Sequence, residues 1–174
     1  MTDPKPTKRL GRWAIACGGL ALALAGTLIA PPRPRLVWNA SASAPVGLYA
    51  VGGASPLARG DMVIARVPDE YRMLAARRHY LPANVPLVKR VAASPGDKVC
   101  AVGARVTVNE RLAAKRLDRD GAGRAMPWWS GCAELGPGEY FLLMTDSGAS
   151  FDGRYFGVID AGDIVGKAWL LWRG

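Results

Sequence analysis

From Trp13 to Ala30 the chain reads WAIACGGLALALAGTLIA, a run without a charged residue. As a helix it would extend roughly 27 Å, close to the thickness of a bilayer's hydrocarbon core. Lys5, Lys8, Arg9 and Arg12 precede it, and Pro31, Pro32 and Pro34 make a stiff exit after it. A buried core helix is the plain alternative. A cleaved signal peptide shares this basic-then-apolar grammar, and Ala23-Leu24-Ala25 resembles its small-x-small exit. The length of the run favours a retained anchor. It predicts a basic cytoplasmic stretch over 1–12, a transmembrane signal anchor over 13–30, and a soluble domain over 36–174 on the far side. Arg33 and Arg35 weigh slightly against that orientation.

Beyond the anchor the pattern shortens. Short β-type runs, several of them rich in Val and Ile, recur at Gly47–Val51, Asp61–Val67, Leu87–Ala93, Lys98–Val102, Arg105–Asn109, Tyr140–Met144 and Ile164–Trp172. Between them lie turns such as Ser94-Pro95-Gly96-Asp97 and Gly136-Pro137-Gly138-Glu139. These predict a mainly β, antiparallel domain. One helix is expected at Pro68–His79, where Tyr71, Leu74 and Ala75 share a face. Ala113–Ser130 is polar, contains Arg and Gly, and reads as a long surface loop.

Composition changes little in this picture. At 174 residues, 50% hydrophobic and 21% charged, the chain is too apolar to be disordered. The net charge of +9 is partly clustered at the front. No recognition-helix, zinc or RNA-binding motif accompanies it, so no nucleic-acid partner is expected. Cys100 and Cys132 are the only cysteines beyond the anchor. If the domain lies in an oxidising compartment they can form a disulfide, with two buried thiols as the alternative. The single histidine and the absence of Cys-x-x-Cys argue against a metal site, and no cofactor is expected.

Three segments carry candidate chemistry. The first is Asn39-Ala40-Ser41-Ala42-Ser43-Ala44-Pro45-Val46-Gly47-Leu48-Tyr49, which alone reads as a Ser/Pro/Gly turn. The second is Leu87-Val88-Lys89-Arg90-Val91. Period two places Lys89 between Leu87 and Val91 on one strand face. A buried lysine there would lose its charge more easily and could act as a base; one snorkelling from a sheet edge would not. The third is Asp146-Ser147-Gly148-Ala149-Ser150-Phe151-Asp152-Gly153-Arg154-Tyr155-Phe156-Gly157, where Asp152 and Arg154 can hold each other.

In this order, with Lys-Arg-Val followed by Pro-Gly-Asp, the three segments resemble the type I signal peptidase superfamily, membrane-anchored proteases with a serine–lysine dyad. The form of the first block is most like the TraF branch of conjugative-transfer signal peptidases. The resemblance implies a mainly antiparallel β, signal-peptidase-like domain behind one N-terminal transmembrane helix. It implies Ser43 as nucleophile, Lys89 as general base, and the Ser41 hydroxyl with the Ser43 backbone N–H as oxyanion hole. It implies that Ser150 hydrogen-bonds the lysine ammonium and that Asp152 and Arg154 brace the loop. The chain departs from the wider family in having Ser43-Ala44-Pro45 for Ser-Met-x-Pro and Gly153 for a serine.

The implied function is a single-pass enzyme of a bacterial inner membrane, with its catalytic domain in the periplasm. Its partners would be the membrane and an exported pilin precursor, which it processes by cleavage or cyclisation. A general signal peptidase acting on many secretory preproteins is the alternative within the class. A non-catalytic, membrane-tethered secretion subunit is the alternative outside it.

Overall fold

The computed structural model describes residues 7–29 and 34–174. They fall into two compact units, divided between residues 33 and 34.

The first unit contains helix α1, Thr7–Ile29, which is rich in Ala and Leu, both strong helix formers. Trp13, Ile15, Leu20, Leu22 and Leu24 along it are exposed. The anchor expected over 13–30 falls on this helix, but its last residue, Ala30, lies outside the described residues. Among the described residues no helix is long and apolar enough to cross a membrane. The basic stretch over 1–12 lies partly outside them as well.

The second unit is mainly β. In chain order its elements are β1 (Leu36–Asn39), β2 (Gly47–Val51), β3 (Met62–Ala65), α2 (Asp69–Arg77), β4 (Leu87–Ala93), β5 (Lys98–Val102), β6 (Arg105–Val108), β7 (Arg111–Lys115), β8 (Gly131–Glu134), β9 (Glu139–Leu143), α3 (Gly153–Phe156), β10 (Val158–Asp160) and β11 (Ile164–Arg173). A seven-stranded sheet has the order β1-β2-β11-β3-β4-β9-β10, and a four-stranded sheet the order β7-β6-β5-β8. The strand pairs of both sheets are antiparallel. Leu36, Trp38, Leu171 and Trp172 leave an exposed apolar fringe on β1 and β11.

Strand β4 shows how the sequence pattern becomes a core. Leu87 and Val91 join a cluster with Val63, Leu142, Phe151 and Tyr155. Val88 points into a second cluster with Ala44, Tyr49 and Ile64, while Arg90 is exposed. Ala93, at the end of the strand, joins a third cluster with Val99, Val106 and Phe141, which ties the small sheet to the large one. Lys89 shares the face of Leu87 and Val91 and is therefore carried into the core.

Two expectations need correcting. The helix expected over Pro68–His79 is shorter: Pro68 caps its start and His79 takes φ 57°, a left-handed conformation that cannot continue an α-helix. The segment Ala113–Ser130 is not simply a surface loop. It begins inside β7, returns through an Arg119–Ala125 bridge, and contains the buried Arg116. The Arg116 guanidinium donates to the carbonyls of Gly103 and Trp129, so a sequence that looks solvated is anchored by a satisfied buried cation.

Cys100 on β5 lies opposite Cys132 on β8, and the two form a disulfide.

Candidate active site

The connection between β1 and β2 is wound around one side chain. Asn39 is buried at the end of β1, and its amide donates to the carbonyls of Ser41, Ala44 and Pro45 at 2.9, 3.2 and 3.0 Å. Its carbonyl oxygen accepts from the Ser41 N–H at 3.1 Å. The Tyr49 hydroxyl donates to the Pro45 carbonyl at 2.8 Å from the far side. A short polar side chain satisfying nearby backbone in this way fixes a turn. Sequence reasoning gave Asn39 no role. The signal was present in the tendency of Asn to bond its own backbone two residues on.

The loop presents Ser43 to Lys89. Lys89 Nζ donates to Ser43 Oγ at 2.7 Å, and Lys89 is only 2% exposed. Burial is the main reason its pKa falls from the usual lysine value to about 8. Asp152 opposes the shift and Arg154 adds to it. With the amine neutral, the Ser43 hydroxyl can donate across the same contact, which is the geometry a general base needs. Ser43 is half-buried and Ser41 exposed, so solvent and a peptide can reach them. Ser41 Oγ lies 3.0 Å from Ser43 Oγ and accepts from the Ser43 N–H at 3.3 Å.

Ser150 lines the same cavity as Ser43 and Lys89. The expected bond from the lysine ammonium to its hydroxyl is not formed. The short bond of Lys89 is aimed at Ser43, and Ser150 Oγ, though buried, has no partner among the described residues.

Asp152 and Arg154 are fully buried nearby. Arg154 Nε donates to one carboxylate oxygen of Asp152 at 2.8 Å and Nη2 to the other at 3.1 Å, a two-point pairing. The remaining donors of Arg154 go to the carbonyls of Gly148, Met144 and, at 3.5 Å, Lys115, while Asp152 also accepts from the N–H groups of Met144 and Arg154. The pair thus ties the end of β9 to the Ser150 loop and the start of α3. The glycine between them is required by space: a Cβ on Gly153 would lie 2.7 Å from both the Leu142 carbonyl oxygen and the Phe141 ring. A serine does not fit there. Among the described residues no group of three or more His, Cys, Asp or Glu side chains converges to hold a metal ion.

A buried amine in contact with an accessible hydroxyl, in a β domain of this order, defines a class that the sequence comparisons bear on directly. The chain belongs to the signal peptidase family, peptidase S26, which it matches over residues 8–173. Its relatives include a plasmid transfer protein TraF of Escherichia coli, 32% identical over 168 residues, 91% of this chain and 93% of that one. A probable conjugal transfer protein TraF of Sinorhizobium fredii is 36% identical over 160 residues, 86% of this chain and 83% of that one. A solved signal peptidase I from Enterococcus faecalis V583 is similar at 17% identity and a TM-score of 0.37, over 65% of this chain and 97% of that one.

Proposed function

We propose that this chain is a serine peptidase with a Ser43–Lys89 dyad that processes an exported precursor, the pilin precursor of a conjugation apparatus. The observation that carries this reading is the 2.7 Å contact between Lys89 Nζ and Ser43 Oγ, made by an amine that burial has brought to a pKa of about 8. Membership of the signal peptidase family and similarity to conjugal transfer proteins support it.

The neutral Lys89 takes the Ser43 proton as Oγ attacks the substrate carbonyl. The Ser43 N–H and the Ser41 hydroxyl turn from each other to the developing oxyanion. Lys89 then gives its proton to the leaving amine, leaving an acyl group on Ser43. Water at that ester completes cleavage, and an incoming peptide amine closes a new peptide bond instead. Ser41→Ala is expected to slow the reaction by roughly 10²-fold through loss of one oxyanion donor, measured as kcat with substrate affinity little changed.

The domain acts beside a membrane in this reading. Residues 13–30 anchor it, the basic residues before them stay on the cytoplasmic side, and 36–174 works in the periplasm. The exposed Trp38 and Trp172 and the Cys100–Cys132 disulfide support such a setting. Tethering enzyme and substrate to one bilayer raises their effective concentration.

The test is co-expression of the full chain, wild type or Ser43→Ala, with candidate pilin precursors, read by mass. Processing by the wild type alone supports the proposal, and a product lacking one water relative to the linear cleaved chain identifies cyclisation. Equal processing by the Ser43→Ala chain would refute it.

A further inference from the structure

Helix α3 is a single turn of four residues, too short to hold its own place. The Asp152–Arg154 pair ties it to the end of β9. From the side of the small sheet, further contacts reach three consecutive residues, Gly153, Arg154 and Tyr155. Trp129 Nε1 donates to the Gly153 carbonyl at 2.9 Å. Arg154 Nη1 donates to the Lys115 carbonyl, and the Arg154 carbonyl accepts from Arg116 Nη1, each at 3.5 Å. The Leu117 N–H donates to the Tyr155 hydroxyl at 3.0 Å. The bond from Trp129 is the shortest of these. We propose that Trp129 is a positioning residue for the dyad: its indole N–H sets the place of Gly153, and with it that of the Asp152–Arg154 pair near Lys89. The inference deepens the Ser43–Lys89 reading and rests on it.

Trp129 is itself firmly placed. Its carbonyl accepts from Arg116 Nη1 at 2.6 Å, and the same guanidinium donates to the Gly103 carbonyl in the turn between β5 and β6. Its ring meets Phe141 of β9 edge-on, with centroids 6.1 Å apart. The indole also lies against Gly157, where an added Cβ would sit 3.7 Å from it. Three residues further on, Cys132 is bonded to Cys100. A side chain locked in this way aims its donor and transmits the position of the small sheet to α3.

The bond locates the turn without completing it. The Gly157 N–H donates to the same Gly153 oxygen at 2.9 Å, so that acceptor stays satisfied when the indole donor is removed. Loss of the donor alone therefore acts on where the turn sits.

That position bears on Lys89. Asp152 and Arg154 act on its charge in opposite senses, and burial outweighs both. Ser150, Phe151 and Tyr155, which flank the pair, line the cavity that holds Lys89. Tyr80, Arg119 and Asp120 are the other titratable or charged groups on that lining, from the loop after α2 and the segment after β7. Loosening α3 admits water to the amine, and hydration restores the charged form that burial disfavours.

The test uses the full-length chain in detergent micelles, labelled with carbon-13 at lysine Cε. The Lys89 signal is identified by its loss in Lys89→Met and titrated by NMR. Values of kcat and KM are measured beside it on a peptide spanning the cut of the co-expressed precursor. Trp129→Phe keeps a ring against Phe141 and drops the donor. It is expected to raise the Lys89 midpoint by roughly half a unit or more and to lower kcat at pH 7 by about threefold or more, with KM little changed. Trp128→Phe is the control. The Trp128 indole donates to the Leu117 carbonyl at 3.1 Å, away from α3, so this variant should keep the wild-type midpoint. An unmoved or lowered midpoint in Trp129→Phe overturns the inference whatever happens to the rate, and so does an equal rise in Trp128→Phe. Should Trp129→Phe not fold, Trp129→Leu is read against the same outcomes. A wild type that titrates but cuts no precursor defeats the dyad reading itself, and this inference with it.

Discussion

Lys89→Ala is expected to lower peptide cleavage by roughly 10⁴-fold or more, about as far as loss of the nucleophile itself, because members of such a unit fail together. Lys89→Arg is expected to fail as well, since a guanidinium keeps its proton at any working pH. In the wild type the rate should rise with pH and level off above about 8, the pKa of the buried amine. The sign follows from the chemistry: only the deprotonated form accepts the serine proton, so each pH unit below the midpoint removes about tenfold in rate. A pH–rate profile of kcat/KM checks it, and a flat profile through pH 8 would contradict the assignment.

The same burial makes Lys89 a burden on stability. Lowering a lysine from its usual value of 10.5 to about 8 corresponds to on the order of 3 kcal/mol against the charged form in the folded state. Between about pH 8 and 10.5 the unfolded chain binds this proton more readily than the folded one. This group's contribution therefore favours folding increasingly as pH rises through that window, and its penalty is fully present below it. Lys89→Met keeps the stem and removes the charge. It should be inactive yet more stable at neutral pH by about 1–3 kcal/mol in denaturant unfolding, a trade of stability for activity.

The second large effect lies behind the site. Arg154→Met should destabilise the domain by about 3–5 kcal/mol, because it strands the buried Asp152 carboxylate with two backbone N–H partners and no cation. Asp152→Asn is the informative companion. Asp152 raises the Lys89 pKa, so removing its charge should move the pH midpoint of activity downward. A merely structural role for Asp152 would lower activity without moving the midpoint. Chemical denaturation gives the first quantity and the pH–rate profile the second.

Much of the architecture could be read in advance where side chains alternate cleanly. Strand β4 is the clearest case: Leu87, Lys89 and Val91 share a face in the sequence, and the structure buries all of them. Strands β1, β8 and β10 span only four, four and three residues, too short for period two to stand out. Arg116 was illegible for a different reason. Its burial depends on the carbonyls of Gly103 and Trp129, remote in sequence, and nothing local marks a cation as satisfied. The same holds for Tyr80 and Asp120, whose bond joins the loop after α2 to the segment after β7. Asn39 differs in that its partners all lie within six residues, so the turn it builds was accessible to local reasoning.

Strand β11 lies between β2 and β3 in the large sheet, although it comes last in the order of strands. The hairpin that holds the alcohol therefore joins the half that holds the amine through a segment translated after both. A polypeptide stopping short of residue 164 would carry both Ser43 and Lys89 but lack the strand that joins their parts of the sheet. In the proposed reading, the frame that sets the dyad is therefore closed by the last strand in chain order.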